Sequence, residues 1–279
     1  MVAAAGACLS TGGLIVRYTD AVNGWQILFY RSTAFTITVL IFITVRYRGD
    51  LRTPFSRISW GGIIVALSLG ISFTCYLFGI LYTTVANVVF IISSGPFFAA
   101  LLGWLVLGES VPISTWLAMT TALFGIAIMF ADGLGTGGTL GNIIALGMPL
   151  SFAVMVVTLR RYRHVDMLPA TCLAGVVAAL IAAPMMGNFA ISEHNFGLAV
   201  LMGTVQVGAG FILITLGSRY LPSTDIALLA LTETMLAPLW VWIFIAEAPS
   251  LPALVGGVIV FCAVAGQALW SAYRMRQSN

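Results

Sequence analysis

The sequence predicts an all-α membrane protein of ten transmembrane helices arranged as two inverted five-helix repeats. Three observations carry this: scarce charge, long apolar runs, and a repeat relating the two halves. Hydrophobic residues make up 60% of the 279 and charged residues only 8%, against about 25% in soluble globular proteins. A water-soluble fold could not cover its surface with so little charge. The apolar runs are continuous, without the alternation of transmembrane barrel strands. About 20 apolar residues in a helix cross a ~30 Å hydrocarbon core, so ten spans leave no room for a separate soluble domain.

The spans fall at 2–16, 22–45, 60–81, 85–107, 113–131, 141–159, 168–186, 196–216, 224–245 and 251–272. The stretch 46–57 is charged, and 132–138 is glycine-rich. Spans three and four are nearly fused. All twelve basic residues are arginine. With a cytoplasmic N-terminus, ten crossings put Arg46, Arg48, Arg52, Arg57, Arg160, Arg161, Arg163, Arg219, Arg274 and Arg276 inside. Arg17 alone lies at the outer face, and Arg31 lies within span two. This is a strong positive-inside bias, and it predicts that both termini are cytoplasmic. The chain opens on an apolar run, so the first helix is expected to be retained rather than cleaved.

At a constant offset of 138, 79–109 aligns with 217–247 without gaps. Gly79 meets Gly217, Tyr82 meets Tyr220, Ala99 meets Ala237, Leu101 meets Leu239, Trp104 meets Trp242 and Glu109 meets Glu247. Asn87 meets Asp225 and Ser94 meets Thr232. Gly6 and Ser10 meet Gly147 and Ser151 at an offset of 141. The halves are then 1–135 and 136–279. Each carries five spans, an odd number, so the second must insert in the opposite sense. Inverted repeats of this kind are common in secondary transporters.

Two segments, SSGPFFAALLGWLVLGE at 93–109 and LTETMLAPLWVWIFIAE at 231–247, resemble the two copies of the EamA-type repeat of the drug/metabolite transporter superfamily. GWQILFYRS at 24–32, with Arg31, resembles that family's second-helix motif. The resemblance covers nearly the whole chain and identifies the superfamily better than the cargo. In detail the chain is similar to YddG-type exporters of aromatic and other neutral amino acids. That similarity implies ten helices, cytoplasmic termini and a central substrate cavity. One departure is Pro238, four residues beyond the position matching Pro96.

Ionisable groups inside a bilayer are costly and are functional candidates by default. Arg31, about ten residues into span two, either orients a substrate carboxylate or binds a neighbouring helix. Glu233, at similar depth in span nine, either accepts a proton or substrate amine or is a structural polar group. Ser68, Ser72, Tyr76, Gly79 and Thr83 share one face of span three. Asn87 and Ser94 share a face of span four. Such faces suit a cavity wall or tight helix packing. The candidate cavity residues are therefore Ser10, Ser72, Tyr76, Tyr82, Asn87, Ser94, Thr232 and Glu233, with Tyr82 alternatively an interfacial aromatic. Pro96, Pro149, Pro184 and Pro238 interrupt helical runs. Gly95, Pro96 and Pro238 are the hinge candidates.

Cys8, Cys75, Cys172 and Cys262 lie inside spans without metal-ligand spacing, and His164 and His194 fall in loops. There is no Walker, HExxH or GxSxG motif, so neither a catalytic site nor a cofactor or metal is expected. The expected partners are a small-molecule substrate, with an amino acid favoured, and the lipid bilayer; nucleic acid is not. Protons are a candidate coupling partner. The function expected is export of small metabolites across a bacterial inner membrane by alternating access. The alternatives are a carrier of drug-like cations or other metabolites, and a channel.

Overall fold

A computed structural model describes residues 2–20, 23–56, 58–108, 110–136, 138–162, 167–217 and 235–277. Those residues are helical with short connections, and no strand occurs among them. The helices are α1 (Val2–Ser10), α2 (Gly12–Arg17), α3 (Gly24–Arg46), α4 (Arg52–Ser56), α5 (Trp60–Tyr82), α6 (Val85–Ser93) and α7 (Gly95–Leu107). They continue as α8 (Ile113–Thr136), α9 (Thr139–Arg161), α10 (Met167–Ala182), α11 (Glu193–Leu201), a π-helical turn (Met202–Ala209) and α12 (Gly210–Gly217). The last two are α13 (Met235–Ile245) and α14 (Leu251–Gln277). Seven stretches among the described residues are long and apolar enough to cross a membrane, and three more apolar helices are shorter.

Three expected continuous spans are interrupted. Span one breaks at Thr11 and span four at Ser94, and span eight winds through the π-turn. Pro96 therefore opens a helix rather than kinking one. Its missing N–H is harmless in the first turn, and the hydroxyls of Ser93 and Ser94 donate to the Phe90 and Ile91 carbonyls at 2.7 and 2.6 Å. Pro184 lies in the turn after α10, which ends at Ala182, whereas Pro149 is inside α9. Span two starts two residues later than expected, because the Asn23 side chain caps α3 by accepting from the Trp25 N–H at 3.1 Å. His194 lies in the first turn of α11, not in a loop. The N-terminal part of span nine, with Asp225, Thr232 and Glu233, falls outside the described residues.

The main core is built from one face each of α3, α5 and α6, with Phe35, Phe73, Leu77 and Ile91 among its buried members. Small residues let α9 and α10 close on it: Ala145, Ala174 and Ala178 are fully buried. A second cluster joins Phe97 of α7, Met119 and Ile126 of α8, and Val260 and Val264 of α14. At the α8–α14 crossing the backbones nearly touch. A Cβ on Gly125 would lie 2.6 Å from the Gly256 carbonyl oxygen, so only glycine permits this approach. The outward faces carry Ile41, Leu117, Phe124, Ile143, Leu180, Ile243 and Val258, all exposed. An apolar exterior of this extent is expected for a surface solvated by lipid.

The described connections gather at two ends. At one end the segment preceding α3 meets that preceding α11. The Asp20 N–H donates to Asn195 Oδ1 at 3.1 Å, and Gln26 Nε2 donates to Asn188 Oδ1 at 2.7 Å. The hairpin between α5 and α6 and the turn after α13 lie at the same end, joined through Arg17 and Glu247. At the other end Gly61, at the start of α5, packs against Tyr162.

Candidate functional site

Arg31 sits seven residues into α3, about 10 Å along the helix at 1.5 Å per residue. It is only 4% exposed. Its guanidinium lies over two rings of α5, 5.7 Å from the Phe73 centroid and 5.4 Å from that of Tyr76. Nη1 is buried without a hydrogen-bond partner, and no acidic side chain among the described residues pairs with this cation. Ring faces return about 2 kcal/mol to a desolvated cation, while burying an arginine in a bilayer costs at least a few kcal/mol. The rings alone leave the charge under-compensated.

The backbone leads from this arginine to a second polar group. The π-turn packs directly on α3: a Cβ on Gly203 would lie 2.3 Å from the Arg31 carbonyl oxygen. The turn carries Gln206, 3% exposed, whose Nε2 donates to the Leu9 carbonyl at 3.2 Å and whose Oε1 has no partner. Tyr76 Oη and Gln206 Nε2 both crowd Gly12, lying 2.4 and 2.7 Å from where its Cβ would be. Arg31, Tyr76 and Gln206 therefore form one buried polar centre where α3, α5 and the π-turn meet the break between α1 and α2. Phe35, Phe73 and Phe211 wall it, edge to face, with centroids 5.1 to 6.0 Å apart.

The other expected site residues are placed as follows. Ser72 is buried on α5, one turn before Tyr76. Ser10 is buried; its hydroxyl donates to the Ala7 carbonyl at 2.8 Å and accepts from Trp240 Nε1 of α13 at 3.0 Å. Asn87 belongs to a separate polar knot. Thr83 Oγ1 donates to Asn142 Oδ1 at 2.9 Å, and Asn87 Nδ2 reaches both at 3.3 Å. Ser94 is buried with its hydroxyl satisfied locally. Gly95 and Pro96 begin α7, and Pro238 lies inside α13. Tyr82 is 50% exposed at the end of α5, stacked on Phe78, and is not part of the interior centre. Thr232 and Glu233 lie outside the described residues.

Arg17, the expected exception on the outer face, has a partner. Its Nε donates to Glu247 Oε2 at 2.6 Å, and its Nη2 to the Thr83 carbonyl at 2.7 Å. Glu247 Oε1 in turn accepts from the Val85 N–H at 3.1 Å, at the positive end of α6. The clamp ties α2, the α5–α6 hairpin and the turn after α13. Sequence reasoning missed this pairing and the roles of Gln206, Asn142 and Trp240. Gln206 carried a usable signal, an amide in the middle of an apolar span.

An open surface groove of about 490 Å³ is lined by Leu123, Phe130, Thr139 and Leu146, almost wholly apolar and away from this centre. A void of about 30 Å³ beside Ser94 is lined by Phe97, Phe98 and Met119, large enough for about one water.

Comparison with known proteins places this arrangement. The family model of the EamA-like transporters matches residues 1–131 and 139–268. The pseudopaline exporter CntI of Pseudomonas aeruginosa is 25% identical over 262 residues, covering 90% of this chain and 88% of that protein. An uncharacterized transporter of Bacillus subtilis, YwfM, is 26% identical over 162 residues, covering 56% of this chain and 55% of that one. A solved crystal structure of a protein 17% identical in sequence superposes with a TM-score of 0.67 over 98% of this chain and 96% of its own. That similarity bears on the fold alone. CntI is named for export of pseudopaline, not of amino acids, so the closer likeness to YddG-type exporters is not specifically supported. With the family model covering nearly all of an apolar, helical chain, this protein belongs to the EamA-like transporter family and is a multi-pass membrane transporter.

Proposed function

We propose that this protein exports small metabolites across a bacterial inner membrane by alternating access, with ten crossings and both termini in the cytoplasm. The carrying observation is the buried Arg31–Tyr76–Gln206 centre, a polar site in an apolar-clad bundle, built from helices of both halves. Residues 1–135 and 136–279 act as two inverted five-helix units rocking about it. Four things favour this reading: the repeat at offset 138, the arginine asymmetry, the gathering of connections at two ends, and the export named for CntI. Small neutral or aromatic amino acids are the first cargo to test; drug-like cations and other metabolites are the alternative.

Purified protein in proteoliposomes is expected to catalyse counterflow of one or more solutes from a panel of amino acids and organic cations, without electrical conductance. Conductance without counterflow would replace the carrier with a channel. Repeating the assay with a pH gradient, for wild type and Glu233→Gln, tests proton coupling; unchanged pH dependence in the variant removes Glu233 as the proton site. Labelling of either terminus from the outer side would overturn the topology.

A further inference from the structure

Two buried polar atoms are left unmatched in the same centre, and they are of opposite kind. Arg31 Nη1 is a charged donor and Gln206 Oε1 is a neutral acceptor. They flank Tyr76 from α3 and the π-turn respectively. The Gln206 amide is held in one sense: Nε2 donates to the Leu9 carbonyl, and the flipped amide would set oxygen against oxygen. Its unmatched oxygen is therefore a fixed acceptor. In a bilayer interior no bulk water supplies the missing partners, and each unmade bond to a buried polar group costs about 1–3 kcal/mol, more where charge is involved.

We propose that Arg31 and Gln206 are the two anchors of a docking point for a small carboxylate-bearing solute that also brings a hydrogen-bond donor. The carboxylate takes the Arg31 guanidinium, whose planar fork matches it and makes charge-assisted hydrogen bonds. The solute's donor, an ammonium, amide or hydroxyl, takes Gln206 Oε1. The Phe35–Phe73–Phe211 wall faces an apolar or aromatic remainder. Breaks in the backbone at Thr11 and over Met202–Ala209 put non-regular helix beside the site, as in transporters that bind at discontinuous helices. This assignment rests on the transport reading and adds to it the chemical class of the cargo.

The test uses four aromatic probes in proteoliposome counterflow: L-phenylalanine, 3-phenylpropionate without the donor, and L-phenylalaninamide and phenethylamine without the carboxylate. Tetraphenylphosphonium is the cation control. L-Phenylalanine is expected to exchange best and 3-phenylpropionate less well. The two probes without a carboxylate should fall about tenfold to a hundredfold lower. Arg31→Gln is expected to abolish exchange of the carboxylates. Arg31→Lys, which keeps the charge and guards against a folding defect, should weaken their apparent affinity about tenfold. Gln206→Leu should erase the advantage of L-phenylalanine over 3-phenylpropionate. The assignment fails, with transport intact, if the amine or the phosphonium exchanges while no carboxylate does, or if carboxylate exchange survives Arg31→Gln. If no probe exchanges with wild-type protein while another solute of the wider counterflow panel does, the assignment fails and the transport reading stands; if that panel fails as well, both fall.

Discussion

Arg17 and Arg31 lie in adjacent helical segments and have opposite surroundings. Arg17 is partly exposed and well partnered, with bonds to both Glu247 oxygens and to the Thr83 carbonyl. Arg31 is buried, rests on two rings and leaves a donor unmatched. The first cation has its counter-charge in the fold and fastens three connections together. The second has none among the described residues, and the docking proposal assigns that role to the cargo. A paired charge near the bilayer edge organises structure, while the docking proposal gives the one inside the task of recognition.

The contrast can be broken experimentally, and the largest effect should come from Arg31. Arg31→Ala is expected to lower transport at least about tenfold while leaving a monodisperse protein on size-exclusion chromatography; an unaffected rate would make it a structural cation like Arg17. Gly12→Ala comes next. Its methyl would meet Tyr76 Oη and the Gln206 amide, so overpacking should cost about 1–3 kcal/mol, read as a lower melting temperature in detergent together with weaker transport. The clamp should matter less. Arg17→Ala or Glu247→Ala is expected to cost about 1 kcal/mol, since both groups are partly exposed. The swap Arg17→Glu with Glu247→Arg should recover part of the loss from either single charge reversal, and a double-mutant cycle measures the coupling. Pro96→Ala should be the mildest for stability, within about 1 kcal/mol. It sharpens the comparison by asking whether the Ser94 break, rather than the charges, limits turnover; unchanged kinetics would remove it as a hinge.

The apolar segments were legible because bilayer thickness dictates their length. The expected limits of the span from Trp60 match α5 to within a residue. The breaks were not legible, because they depend on what packs alongside. The stretch Met202–Ala209 reads as an ordinary apolar helix, yet it is π-helical where Gly203 closes on the Arg31 carbonyl and Gly208 on Thr38. The Arg17–Glu247 pair was hidden for a different reason: the partners are 230 positions apart, and local periodicity carries no information at that range. Of the stripe expected on α5, Ser72 and Tyr76 are buried together. Tyr82 shares their helix but lies at the surface, because it sits at the helix end.

The winding of Met202–Ala209 has a mechanical consequence. A π-turn packs more residues into each revolution than an α-helix does, so this stretch holds slack. Were the slack drawn out, the side chains beyond it would swing about 100° around the axis for each residue released. Gln206, inside the coil, would turn with it as a key turns in a lock, with the rod itself unbroken. A polar contact mounted on such a coil can be made and withdrawn by rotation alone.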